Sequence, residues 1–159
     1  MRIVRTRHLA AAIVAGSLVA MSGTTALAAN AAESLALRRA VMQSIGAHFG
    51  ATVAAIKSGD TKQIQAAAKQ AMAINTLSKG ILIVSPKGSG SEVGKSTASP
   101  KIWQDWAGFQ KAAATLTAES AKLVAALKSG DAKAAMAQFA ATGKVACGGC
   151  HGTFRVKKK

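Results

Sequence analysis

The sequence is poor in several residue types, and each scarcity excludes a class of protein. It has no tyrosine, four phenylalanines, two tryptophans, two prolines and two cysteines. No stretch alternates convincingly between apolar and polar residues, so we expect no β-sheet. The cysteines are three positions apart, and a disulfide closing so short a loop would stabilise little. A zinc site would need four ligands, and outside residues 147–151, which contain both cysteines and one histidine, the expected mature chain offers only His48 as a further strong nitrogen or sulfur ligand.

Long apolar runs are missing beyond the N-terminus. Residues 9–21 are apolar and uncharged, follow three arginines, and lead to the small residues Ala-Leu-Ala at 26–28. This order is typical of a secretory signal peptide over residues 1–28, and the run is too short to span a membrane. We therefore expect a bacterial periplasmic protein with a signal peptide. Its mature part, residues 29–159, would form one domain without stable membrane insertion.

Acidic side chains are few: 6 against 21 basic ones, for a formal net charge of +15. Without the three leader arginines, 18 basic side chains still face 6 acidic ones. Most lysines are scattered along the chain, as on solvated helix faces. The excess favours salt-sensitive docking to an acidic redox protein partner. Nucleic acid is a poor fit, because no recognition motif is present.

Helical periodicity predicts four helices. They run from about 32 to 57, from about 61 to 82, from Pro100 to about 127, and from Asp131 to 154. A loop of residues 85–99, rich in glycine and serine, separates the second helix from the third. The third helix should bury a face spaced by three and four residues that includes Ile102, Trp106, Phe109 and Leu116, with Trp103 beside it.

The same turn, Lys-Ser-Gly-Asp, occurs at 57–60 and at 128–131. Its glycine can end one helix in the left-handed conformation, and its aspartate can cap the next. Turns this short force neighbouring helices to be antiparallel. The fold class predicted is therefore all-α, an antiparallel four-helix bundle with up-down-up-down topology.

Near the C-terminus, Cys147-Gly148-Gly149-Cys150-His151 has the spacing of covalent haem attachment. On a helix the two cysteines and the histidine stand at i, i+3 and i+4, so they share one face. The thiols can add to the vinyl groups of one haem, and the histidine can reach the iron. A thioredoxin-like dithiol would instead start a helix after a strand, whereas this motif ends a helical run.

The predicted inward faces are rich in alanine and glycine, so the four helices would leave a poorly filled core. A haem between them would supply the missing apolar volume. We therefore expect one covalently bound haem c enclosed by the bundle. We also expect the haem-free chain to be loosely packed.

These residues resemble class II cytochromes c, the cytochrome c′ family, over nearly the whole expected mature chain. The resemblance rests on residues 38–42, 46–50, the Pro-Gly-Ser loop, 100–103 and 147–155. It implies a haem domain over 29–159 with the haem motif at the end of the fourth helix. Dimerisation through the first two helices is common in that family, so a homodimer stands as an alternative to a monomer.

The resemblance also implies roles for individual residues. His151 would be the proximal iron ligand, and Met42 would face the distal side. Methionine there is typical of the low-spin, His/Met-ligated branch, whereas the high-spin branch has an apolar residue and five-coordinate iron. Arg38 would contact a haem propionate, and Arg155 would lie beside the proximal histidine.

The residues themselves agree with this placement of Met42. Arg38 lies one turn before it on the same inward face, and a buried guanidinium needs an anion such as a propionate. Among the other candidate sixth ligands, His48 points to a different face and Met72 lies off the inward face of its helix. Met136 is too near the proximal end of its own helix.

The function expected is that of a periplasmic c-type cytochrome, an electron carrier with His/Met-ligated haem c. The alternative is a five-coordinate protein that binds nitric oxide or carbon monoxide. We expect no enzymatic activity. A peroxidase benefits from a carboxylate on its proximal histidine, and no acidic residue follows Asp131.

Overall fold

A computed structural model describes the backbone of residues 21–156 and the side chains of residues 30–156. The first 20 residues of the expected leader, 1–28, lie outside the described residues, and its last eight continue as helix. Cleavage after residue 28 therefore stays a prediction. No helix of the described chain is long and apolar enough to cross a bilayer.

The described residues fold into four helical columns, as predicted. The first column is α1 (Met21–Lys57), and the second is α2 (Thr61–Ala66) with α3 (Ala68–Ser78). The third is α4 (Lys101–Gln104) with α5 (Trp106–Ser129). The fourth is α6 (Ala132–Ala141), a π-helix (Thr142–Gly148) and α7 (Gly149–Phe154). Contacts of α1 with α3, α3 with α5, α5 with α6 and α6 with α1 close the ring of a four-helix bundle.

Both short turns have the predicted geometry. Gly59 and Gly130 are left-handed, with φ of 69° and 75°. The carboxylate of Asp60 accepts a hydrogen bond from the Gln63 amide at 2.8 Å, and Asp131 accepts from two amides of α6. These caps satisfy amides that the first helical turn leaves without partners.

Two columns are interrupted where the sequence pattern predicted continuous helices. A turn at Ala67 separates α2 from α3, and the second column ends at Ser78 rather than near residue 82. In the third column Asp105 leaves the helical region, at φ −124° and ψ 64°, and its side chain caps α5 by accepting from the Gly108 amide. This break shifts the helical phase. The prediction that Trp106 points inward is therefore wrong: Trp106 is 36% exposed, and Trp103 is the partly buried tryptophan.

The core divides into two clusters along the bundle axis. The turn-end cluster lies near the two short turns and consists of Ile56, Ile64, Ala67, Ala68, Ala71, Leu123, Leu127 and Ala135. The motif-end cluster lies near the haem motif and consists of Ile45, Ile74, Ile81, Ile102, Phe109, Ala113, Leu116, Ala146 and Phe154. Phe49 stacks on Phe139 with ring centroids 3.9 Å apart and also packs against both clusters.

A crossover of residues 79–100 links α3 to α4 at the motif end, with one 3₁₀ turn at Ser91–Val93. It is held against the bundle rather than left in solvent, since Ser85 and Ser89 are fully buried. Gly90 lies so close to the Trp103 ring that a Cβ there would come within 3.1 Å of two ring carbons. The crossover is therefore part of the packed structure.

Candidate cofactor site

The motif-end cluster surrounds a cavity between the first, third and fourth columns. Its walls are apolar except for two thiols, one imidazole and one thioether. The lining residues are Met42, Ile45, Ile81, Ala112, Ala113, Leu116, Ala146, Cys147, Cys150 and His151. The structure thus brings Met42 to the same cavity as the haem motif, more than a hundred residues later in the chain.

The π-helix Thr142–Gly148 leads into the haem motif and contributes Ala146 and Cys147 to the cavity wall. Cys147 lies in its last turn, whereas Cys150 and His151 lie on α7. π-helical segments are rare and often occur at functional sites. The sequence pattern did not predict this one, because its apolar spacing also suits an ordinary α-helix. Within it Gly143 lies close to Phe49: a Cβ at Gly143 would be 3.3 Å from the Phe49 Cζ atom.

Burial at the cavity shifts the pKa values of Cys147, Cys150 and His151. Burial raises the pKa of both thiols, and the neighbouring Cys147 raises that of Cys150 further. Loss of solvation lowers the pKa of His151, and the charge of Arg155 lowers it again. Both shifts favour, at neutral pH, the SH form of the thiols and the neutral form of the imidazole. The neutral ring has a free nitrogen lone pair, the form in which histidine binds a metal.

Of the four candidates for a sixth iron ligand, Met42 is the one that lines the cavity. Met72 is 49% exposed on α3. Met136 packs against the turn-end cluster. His48 is half-buried, and its Nδ1 lies 2.6 Å from the Gln70 Oε1 atom in a hydrogen bond.

Arg38 is buried, as predicted from its position on the inward face, but it does not line the cavity. Its Nη1 donates to the Val84 carbonyl at 3.1 Å and to the Ser89 hydroxyl at 2.7 Å, and its Nη2 donates to the Ser89 carbonyl. Burial lowers the pKa of Arg38, and nearby Glu92 partly offsets this. Neutral oxygens of the crossover thus satisfy the guanidinium, and its contact with a haem propionate stays a prediction.

Arg155 is exposed just after α7. Its Nε donates to the Thr97 hydroxyl at 3.4 Å, and its charge acts on His151. The role of Arg155 as a cation beside an iron-binding His151 stays a prediction. The sequence pattern did not predict the link to Thr97, because residue 97 belongs to the aperiodic crossover.

The donor set and the apolar walls fit a haem. Two thiols can form thioethers, a neutral imidazole can bind iron, and the remaining walls can contact a flat apolar ring. A metal ion without a porphyrin fits less well, since the described residues contain no group of three or more His, Cys, Asp or Glu side chains suited to a metal.

Comparison with known proteins identifies the family. The family model for Cytochrome C′ matches residues 33–155. The chain belongs to the cytochrome c′ family. It is 35% identical to cytochrome c′ of Rubrivivax gelatinosus over 79% of this chain and 95% of that protein. It is 38% identical to cytochrome c-556 of Agrobacterium tumefaciens over 76% of this chain and 95% of that protein.

Solved structures of the family have the same fold. The crystal structure of Rubrivivax gelatinosus cytochrome c′ matches with a TM-score of 0.67 at 33% identity, covering 79% of this chain and 96% of that one. A nitric oxide complex of a variant cytochrome c′ from Alcaligenes xylosoxidans matches with a TM-score of 0.66 at 27% identity, covering 79% and 95%. The chain is therefore a c-type cytochrome, and its cofactor is one covalently attached haem c.

Proposed function

We propose that this cytochrome is a periplasmic electron carrier in which His151 and Met42 would both bind the haem iron. The observation that carries the proposal is the shared cavity: Met42 lines it together with His151 and both thiols. When bound, the haem supplies a one-electron ferric/ferrous couple. Two fixed axial ligands would keep the geometry nearly constant during electron transfer, and a thioether ligand raises the reduction potential.

Charges around the site support the same role. Arg155 lies beside His151, and its positive charge favours the ferrous state, which carries one positive charge less. The excess of lysines would attract an acidic redox protein through a small interface, and the association would weaken with salt. We also propose that the protein has no enzymatic activity, since no acidic residue follows Asp131 to act on His151 from its own helix.

The second candidate function is gas binding at a five-coordinate iron. The nitric oxide complex of the related cytochrome c′ supports it, as do the apolar walls of this cavity, which suit a small diatomic molecule. The comparisons favour this function more than electron transfer, whereas the position of Met42 favours electron transfer. Methionine is flexible, so the two functions differ in whether its sulfur stays on the iron.

Optical spectra of Met42→Ala separate the two. For an electron carrier, the ferric protein shows low-spin bands and a methionine–iron charge-transfer band, and Met42→Ala loses that band. Met72→Ala, which alters an exposed methionine, serves as the matched control and keeps the band. A high-spin spectrum of the unmodified protein with rapid carbon monoxide binding, unchanged in Met42→Ala, would exclude the carrier and support gas binding.

A further inference from the structure

The crossover contacts two of the helices that line the cofactor site, α1 and α7. Its first half is bonded to Arg38, one turn before Met42 on α1, and its second half is bonded to the residues that follow His151 on α7. We propose that residues 84–99 form a strap that fixes α7 relative to α1 and thereby positions His151 in the cavity. This role does not depend on whether Met42 binds the iron.

The α1 end of the strap is held by buried hydrogen bonds. Arg38 donates to the carbonyls of Val84 and Ser89 and to the Ser89 hydroxyl. That hydroxyl in turn donates to the Pro86 carbonyl at 2.7 Å, which closes the loop on itself. Buried polar groups of this kind cost free energy when they lose their partners. This cost keeps the α1 end of the strap attached to Arg38.

Trp103 on α4 holds the same end of the strap from the opposite side. The Trp103 indole N–H lies 3.1 Å from the Ser85 carbonyl oxygen and 3.0 Å from that of Pro86, and it donates to both. The Arg38 guanidinium carbon lies 6.0 Å from the centre of the same ring. Arg38 and Trp103 therefore hold one short segment between two columns of the bundle.

The α7 end of the strap is a two-bond antiparallel bridge. The Ser99 amide donates to the Phe154 carbonyl at 2.9 Å, and the Val156 amide donates to the Thr97 carbonyl at 2.8 Å. Both bonds flank Arg155, which pairs with Ala98. The bridge therefore fixes the backbone directly after α7.

α7 is the C-terminal end of the continuous fourth column and directly follows the π-helix. Helix ends open more readily than helix interiors, so a constraint on the residues after α7 holds this end in place. The Arg155 amide donates to the His151 carbonyl at 3.3 Å, so a shift of the bridged residues is passed to the histidine backbone. The buried Phe154 ring, 5.3 Å from that of Phe109, anchors the same turn from inside.

Val156→Pro tests the strap in the haem-loaded protein. Proline at position 156 has no amide hydrogen, so the bond to the Thr97 carbonyl is lost. The preceding residue, Arg155, already has φ −121° and ψ 132°, which is the extended conformation preferred before proline. Val156→Ala is the matched control, because it keeps the amide and Val156 is half exposed. The measurements are hydrogen exchange of the Ser99 amide and the paramagnetic resonance spectrum of the ferric iron.

In Val156→Pro we expect the Ser99 amide, whose own acceptor is untouched, to exchange roughly two- to tenfold faster, as the loss of one hydrogen bond predicts. We expect the ferric g-values to shift, because the imidazole orientation is no longer fixed. Val156→Ala should match the unmodified protein in both measurements. If Val156→Pro behaves as Val156→Ala does, the strap has no positioning role.

A second measurement covers the case in which Val156→Pro fails to fold. In the unmodified haem-loaded protein, the amides of Ser99 and Val156 should exchange together with those of α7, as parts of one cooperative unit. Exchange of these two amides far faster than that of α7 would overturn the proposal. The optical spectrum of Met42→Ala tests only whether Met42 binds the iron. The strap and the electron-carrier proposal can therefore be rejected independently of each other.

Discussion

Arg38 and Met42 lie one helical turn apart on α1, yet their side chains act on different parts of the molecule. Met42 reaches the cavity, whereas the guanidinium of Arg38 turns to the crossover and bonds to Val84 and Ser89. The chain thus places a buried cation where three neutral oxygens accept its hydrogen bonds. Such charge-assisted hydrogen bonds are stronger than neutral ones, which makes Arg38 a main attachment of the crossover.

Replacing Arg38 should destabilise the fold, with or without haem. In Arg38→Leu the carbonyls of Val84 and Ser89 lose a buried donor, and we expect the free energy of unfolding to fall by about 2–4 kcal/mol. Arg38→Lys should cost less, because an ammonium group can still reach some of the acceptors. Denaturant unfolding of the haem-free and haem-loaded proteins measures both changes.

Arg39→Leu is the control for this series. Arg39 is the exposed neighbour of Arg38, and a surface substitution there should change the free energy of unfolding by at most about 0.5 kcal/mol. If Arg38→Leu destabilises the haem-loaded protein alone, the guanidinium acts through the haem, as the predicted propionate contact requires, and not through the crossover.

Sequence patterns predict the burial of Arg38 and Met42 but not the partner of Arg38. Their spacing of four residues from each other, within an apolar series, places both on the inward face of α1. The crossover has no periodicity, so nothing in the sequence indicates that Ser89 and Val84 would lie beside Arg38. Local patterns predict which face a residue occupies, whereas contacts with an irregular segment depend on the assembled bundle.

At the level of helices and turns, the two Lys-Ser-Gly-Asp turns have the same backbone but different surroundings. Both glycines are left-handed. A Cβ at Gly59 would meet open space, whereas one at Gly130 would lie 2.6 Å from the Thr61 Cγ2 atom and 3.2 Å from the Gln65 side-chain nitrogen. The turn at Gly130 therefore packs against the start of α2, which the repeated sequence could not show.

Alanine at these two positions should separate backbone strain from packing. Gly59→Ala should cost about 1 kcal/mol of unfolding free energy, from the left-handed conformation alone. Gly130→Ala should cost about 2–3 kcal/mol, because overpacking adds to the strain. Thermal or denaturant unfolding gives both values. Thr61→Ser, which removes Cγ2, should restore part of the loss in Gly130→Ala and none in Gly59→Ala; equal effects in both backgrounds would contradict this explanation.

The helices show where periodicity is informative and where it is not. The inward positions of α1 and α5 agree with the pattern from Ile45 to Ile56 and from Phe109 to Leu127. The break at Asp105 was not predicted, because a short aspartate side chain can either face solvent in a helix or cap a new one. Because Asp105 caps a new helix, Trp106 is exposed and Trp103 is partly buried. The π-helix was missed for a similar reason, since its apolar residues also fit a period of 3.6.

At the scale of the whole molecule, the two core clusters differ in what they surround. The turn-end cluster is closed around Ile64, Leu123 and Leu127, which are fully buried. The motif-end cluster surrounds the cavity. Short turns and apolar faces predicted the bundle, and the scarcity of large side chains predicted an underfilled core. The structure adds where the cofactor cavity lies, within the motif-end cluster.

Haem removal should therefore loosen one half of the bundle more than the other. Leu116 and Leu123 lie on the same helix, α5, but Leu116 lines the cavity whereas Leu123 belongs to the turn-end cluster. In the haem-loaded protein we expect both amides to be well protected from hydrogen exchange. In the haem-free protein the Leu116 amide should exchange roughly 10- to 100-fold faster, with a smaller change at Leu123, because side chains around an unfilled space lose packing contacts. A haem-free form that melts sharply at high temperature, with equal exchange at both positions, would show instead that the helices close over the cavity and pack well without the cofactor.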